Sequence, residues 1–237
     1  MKKLITFTFL LIGLTGFSQE ETIASKLKFG VKTGLNISST SLNMDLDLFP
    51  GESYDVKSKT GFQIGGIANY QLQEKIQLQT ELLFSQLGYE ILFKRDESFG
   101  DTYRSTDSYK LNYLQIPIIA KYNIYDNLYI EGGIETSILL SGKLEFEYVE
   151  DNVGEDNDYT GSDTYNLKSD EGFDVNSIDF GLNIGLSYEY KKFLVTARYS
   201  LGLTNVNSIP SDDFWVDDLQ EKDKNRNFAI SVGYFFM

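Results

Sequence analysis

From Lys26 onward the chain alternates apolar and polar residues with period two, in segments about as long as a tilted membrane-spanning strand, roughly 9–11 residues. Eight segments carry the pattern: residues 26–37, 61–72, 76–85, 113–122, 128–140, 178–189, 193–203 and 227–236. In the first, Leu27, Phe29, Val31, Thr33, Leu35 and Ile37 share one face, and Lys26, Lys28, Gly30, Lys32, Gly34 and Asn36 the other. No helical periodicity competes. The connections alternate too: 73–75, 123–127 and 191–192 are short, whereas 38–59, 91–108, 141–176 and 205–226 are long and polar. Short turns on one rim and long loops on the other predict an all-β fold, an eight-stranded antiparallel transmembrane β-barrel with short periplasmic turns and long extracellular loops.

Alternation alone leaves open whether the apolar face meets lipid or lines the core of a soluble, lipocalin-like periplasmic carrier. The polar face is rich in Gly, Ser and Asn, which suits a crowded barrel interior better than a solvated strand surface. Aromatic residues gather at the short-turn ends of the apolar face, where Tyr70, Tyr122, Tyr188, Tyr190, Phe193, Tyr234 and Phe236 are expected to form an interfacial girdle. Both features favour lipid outside. The polar face then carries its charges inward: Lys26, Lys28, Lys32, Lys121 and Arg198 against Glu81, Glu131, Glu135, Asp179 and Glu189. An eight-stranded barrel is only just filled by its side chains, so these ions are expected to pair in a plugged lumen. The other readings are a narrow channel for small solutes and the soluble carrier.

Charge and composition narrow the chemistry. With 35 acidic against 21 basic residues and a net charge of −14, no nucleic-acid footprint is present. Cys and His are both absent, which removes disulfides, thiolate and imidazole catalysis and Cys/His zinc sites. The amino end, Lys2 and Lys3 followed by an apolar run over 4–14 and small residues to Ser18, reads as a secretory signal cleaved after Ser18. That leaves 19–237 as one barrel domain in the cell outer membrane.

Three segments resemble the PorT-like outer-membrane β-barrel family. Residues 111–122, reading LNYLQIPIIAKY, are similar to its Y-L-x-I-P strand, 78–90 to the strand before it, and 229–236 to its closing strand. The resemblance implies an eight-stranded barrel of the OmpX/OmpA kind, inserted by the barrel-assembly machinery, and transfers location and fold rather than a task. Two departures stand out: Met237 follows the terminal aromatic Phe236, and Pro117 lacks the N–H a central strand donates, which predicts a local break or bulge.

No nucleophile elbow or phosphate loop occurs, so neither enzyme activity nor a cofactor is expected. The acidic stretch 145–174 approaches a calcium loop through Asp156, Asp158 and Asp163, but Thr160 and Leu167 break the EF-hand pattern. Aromatic residues in the long connections (Phe99, Tyr103, Tyr109, Tyr148, Tyr159, Tyr165, Phe214 and Trp215) either anchor an extracellular partner or fold over the barrel mouth. The expected protein is a monomer in outer-membrane lipid, structural or surface-interacting through its acidic loops, its extracellular ligand unspecified.

Overall fold

Each of the eight alternating segments forms a strand in the computed structural model, which describes residues 26–41, 51–96, 101–151, 159–168, 175–206 and 223–236. The signal segment 1–18 and Met237 lie outside the described residues. The strands are β1 (Leu27–Thr40), β2 (Glu52–Gln73), β3 (Ile76–Asp96), β4 (Thr102–Tyr125), β5 (Leu128–Asp151), β6 (Tyr159–Asn166), β7 (Ile178–Tyr190), β8 (Phe193–Gly202) and β9 (Asn225–Phe235). Eight of them pair antiparallel in the ring β1-β2-β3-β4-β5-β7-β8-β9, and β9 pairs back onto β1 from Gly30↔Phe235 to Thr40↔Asn225. Closure removes the exposed edges an open sheet would present. The strand not anticipated, β6, lies outside the ring and pairs with the far half of β5, from Lys143↔Asn166 to Glu150↔Tyr159.

Two turns at one rim are tighter than expected, only Glu74 with Lys75 and Asp126 with Asn127, and the third is Lys191 with Lys192 as expected. Asp126 (φ 42°) and Lys191 (φ 56°) adopt the left-handed backbone that two-residue hairpin turns require. At the other rim, much of what the sequence assigns to long loops is strand. β4 and β5 each run for 24 residues, about 80 Å of chain at ~3.3 Å per residue, or about 55 Å of height at a tilt near 45°. An apolar band of a transmembrane barrel is only ~25 Å tall. The far halves of β2, β3, β4 and β5 therefore rise beyond it as a crown.

The two halves are packed with opposite polarity. Near the short turns, Leu35 (63% exposed), Ile184 (68%) and Val232 (54%) point outward, while Lys32 (2%), Glu131 (3%) and Arg198 (5%) are enclosed. This is the reverse of a lipocalin, so the soluble-carrier arrangement is excluded. In the crown the inward residues are apolar: Leu87, Tyr89, Ile91, Leu111 and Leu144 join Leu167, Val175 and Val206 in one core. Tyr89 stacks on Tyr109 at 4.6 Å between centroids. Water outside and a closed sheet within impose the ordinary arrangement of a soluble protein there.

Bulges bridge the two regimes. In β5 one extra residue falls between Leu139, opposite Tyr113, and Ser141, opposite Asn112. The inward set consequently passes from odd positions such as Ser137 and Leu139 to even ones such as Gly142 and Leu144. A second shift interrupts β2 between Ser58 and Gln63. Pro117 gives the expected local break without a bulge: β3 and β4 keep one register from Thr80↔Ile118 to Leu83↔Gln115, and only the rungs between are missing. Its carbonyl accepts a hydrogen bond from Thr80 Oγ1 at 3.3 Å.

Candidate functional site: the lumen and the crown

Inward positions of four strands meet at mid-height. Lys32 on β1 donates to both carboxylate oxygens of Glu81 on β3, each at 3.0 Å. Arg198 on β8 grips the same carboxylate with two parallel bonds of 3.0 Å, and holds Glu131 Oε2 on β5 through Nε at 3.1 Å and through a second nitrogen at 2.8 Å. The planar guanidinium fork suits this bidentate grip in a way an ammonium does not. Gln79 Nε2 adds a 2.5 Å bond to Glu81. The layer spans the barrel from wall to wall.

A second group sits closer to the short turns. Lys121, fully buried, donates to Glu189 Oε1 at 2.6 Å and lies 4.9 Å from the centroid of the Tyr129 ring. Gln77 Nε2 donates to Tyr129 OH at 3.1 Å and Asn69 Nδ2 to Gln77 at 2.8 Å. Lys28 reaches Glu189 at 3.5 Å from a side chain still 39% exposed. These amides are absent from the charge-based expectation, although their signal, an inward place on the polar face, is the same.

Two expectations about the ions need correction. Lys26 is exposed at the rim and takes no part in the lumen, because the wall begins one residue after it. Nor do five cations balance five anions: Glu135 and Asp179 are buried with no ion pair among the described residues. Glu135 instead accepts from Gln115 at 2.9 Å, Ser137 at 3.2 Å and Asn183 at 3.4 Å. Asp179 accepts from Thr204 Oγ1 and, at 2.9 Å, from Asn225 Nδ2.

Around the outside, Tyr122, Tyr188, Tyr190, Phe193, Tyr234 and Phe236 are exposed and circle the short-turn rim, joined by Tyr125 at 72% exposure; Tyr70 is half-buried. Phe193 meets Tyr234 edge-on at 5.3 Å. Among the loop aromatics, Tyr109, Tyr165 and Tyr54 pack against the crown core, Tyr103 stacks on Tyr148 at 6.2 Å, and Tyr159 is exposed. Phe99, Phe214 and Trp215 lie outside the described residues, as do Asp156 and Asp158. Asp163 sits on β6, and among the described residues no group of three or more acidic side chains is arranged for a metal.

Under the crown, Asp223 accepts hydrogen bonds from Thr40 Oγ1 and, at 3.3 Å, from Tyr89 OH. Burial raises its carboxyl above the ordinary range, and the two hydrogen bonds only partly offset this. A raised folded-state pKa means that the folded protein keeps a proton the unfolded chain has released. The stabilisation is therefore complete below the ordinary carboxylate pKa and is lost as pH rises through the raised one. The melting temperature of Asp223→Asn is expected to gain on that of the natural chain as pH rises above the ordinary carboxylate range, until Asp223 itself ionises in the folded protein. A difference constant over that rise in pH would remove the role assigned to Asp223.

A family model described as outer membrane protein beta-barrel domain matches residues 17–208. Among solved structures the chain is similar to Ail, the attachment invasion locus protein of Yersinia pestis, at 13% identity over 89% of this chain and 99% of that one, with a TM-score of 0.41. It is also similar to Neisserial surface protein A (13%, covering 87% and 96%, TM-score 0.37) and to OprG from Pseudomonas aeruginosa (11%, covering 88% and 95%, TM-score 0.33). No curated protein matches.

Proposed function

The chain belongs to the outer membrane protein beta-barrel domain family and resides in the outer membrane, and from that premise we propose a plugged, monomeric barrel whose acidic crown serves at the cell surface as a structural or docking element. The observation that carries this reading is the cross-lumen layer of Lys32, Glu81, Glu131 and Arg198, each at most 5% exposed. Ions held by several short bonds from four strands cross the lumen at that height, which supports a plugged barrel over a conducting one. The girdle residues would sit in the headgroup region of the inner face, and the lumen ions would stabilise the barrel rather than move a solute. Along the crown, Glu52, Asp55, Glu90, Glu147 and Glu150 contribute to an acidic surface around an apolar core.

In this reading the segment up to Ser18 directs export and is removed, the barrel-assembly machinery inserts 19–237, and outer-membrane lipid is the permanent partner. The 111–122 segment supports a place in the PorT-like branch of the family. No catalytic step, cofactor or nucleic acid is invoked. Purified protein in a planar bilayer is expected to give no steady discrete conductance steps. Reproducible steps of one amplitude would replace this reading with the narrow channel.

A further inference from the structure

We infer that the lipid-facing wall holds one phospholipid at a fixed place, with an acyl chain in a recess over β2 and β3 and its phosphate at the rim formed by Lys26 and Lys75. The outward residues Phe29, Gly66, Ala68, Thr80, Leu82 and Ile116 line a recess of about 360 Å³, within the range of about 300–1,000 Å³ found for sites that take a small ligand. Phe29 stands opposite Ala68, Ala68 opposite Thr80 and Gly66 opposite Leu82, so small residues from two strands make the floor and large ones the flanks. Nothing in the wall forces the hollow. A Cβ at Gly66 would meet no neighbouring atom closer than the Gly30 carbonyl oxygen at 4.0 Å, whereas at Gly65, on the lumen side of the same strand, it would strike the Leu82 carbonyl oxygen at 1.9 Å.

Medium and charge select the occupant, given the lipid-facing band on which the inference rests. Gly66 lies four residues from Tyr70 of the girdle, about 13 Å of strand and about 10 Å of height at a tilt near 45°. The recess therefore opens into the hydrocarbon of the leaflet nearer the short turns. No hydrophobic pull favours protein over lipid there, so a hollow alone does not recruit a second barrel. Below it, at the level of the headgroups, the Lys26 carbonyl accepts from the Gln71 amide at 2.8 Å, one residue beyond Tyr70, and Lys75 lies in the turn between β2 and β3. Both lysines are exposed, and neither forms an ion pair among the described residues. Even with Glu74 in the same turn, this rim is cationic in a chain of net charge −14. The Asp126–Asn127 turn has the opposite sign, and at the Lys191–Lys192 turn Lys192 already donates to the Phe236 carbonyl at 3.0 Å. A phosphate diester tethered to a hydrocarbon chain is the complement of a cationic rim beneath an apolar hollow.

The test uses the full mature barrel refolded in detergent with palmitoyl-oleoyl phosphatidylglycerol, and counts bound lipid by native mass spectrometry as the detergent is exchanged. One phosphatidylglycerol per barrel is expected to persist after the others are lost. Dioleoylglycerol, which has the chains without the phosphate, should not persist. Gly66→Leu with Ala68→Leu fills the recess and should abolish retention, whereas Gly132→Leu, at an equally open outward glycine on β5, should leave it intact. Lys26→Gln and Lys75→Gln should each weaken retention about fivefold, and they carry the test if the filled variant fails to fold. Retention by the filled variant, loss in Gly132→Leu, no change in either lysine variant, or equal retention of phosphatidylglycerol and dioleoylglycerol would overturn the site. So would a lipid-free mass of two barrels that the filled variant loses, which would assign the recess to a second copy. Flotation with vesicles reads the lipid-facing band separately: a natural chain that floats but retains no lipid overturns the site alone, and one that does not float overturns the band as well.

Discussion

Replacing Arg198 with methionine is expected to destabilise the barrel by about 3–5 kcal/mol, the cost of leaving a buried charge without its partner. The loss falls unevenly on the two carboxylates it binds. Glu81 keeps the two bonds from Lys32 and the one from Gln79. Glu131 has no such reserve: its Oε2 is held by Arg198, and its Oε1 has no hydrogen-bond partner at all. Neutralising Glu131 in the same chain, as Arg198→Met with Glu131→Gln, should therefore recover a substantial part of the loss, on the order of 1–3 kcal/mol. Glu81→Gln in the Arg198→Met background should not, because it strands Lys32 in turn. Urea titration of refolded protein in vesicles measures all four chains. A loss below about 1 kcal/mol for Arg198→Met would show that water or a counter-ion already screens the layer.

The second large effect is on the other face of the same wall. Ile184, at 68% exposure, stands mid-way along β7 opposite Gly132 and Tyr199. Arginine at that position should cost about 2–4 kcal/mol, because the charge would rest near the centre of the hydrocarbon. Val149 is also outward and 39% exposed, but it lies in the crown between Arg104 and Thr160. Arginine there should cost about 0–1 kcal/mol. The contrast between two outward apolar residues locates the edge of the bilayer. Equal costs at both positions would place the crown within lipid and undo the assignment of the band.

The eight ring strands were legible because lipid outside and ions inside force opposite chemistry onto alternate residues, as in Leu182, Asn183 and Ile184. The inward address of Lys32, Lys121 and Arg198 followed from parity alone. Their partners did not, since Arg198 and Glu81 are separated by 117 positions and meet only once the ring closes. Parity also misplaced Lys26, because alternation continues one residue past the point where the wall ends. The crown escaped detection for a different reason. Along β3 the backbone runs on unbroken, but the inward residues change from Gln77, Gln79 and Glu81 to Leu87, Tyr89 and Ile91 as the outer solvent changes from lipid to water. A pattern sought in one phase ends at that change, and the bulge beside Leu140 hides it further in β5. The β6 sequence, YTGSDTYN, is too polar to announce itself as a strand and is recruited by the exposed edge of β5.

The seam between β1 and β9 joins the first strand of the ring to its last. No partial chain emerging from the ribosome or crossing the inner membrane can zip that seam, so the cylinder must be delivered whole and unfolded before it can be completed. Any chaperone that escorts it therefore has to shield every greasy strand at once, for as long as the transit lasts.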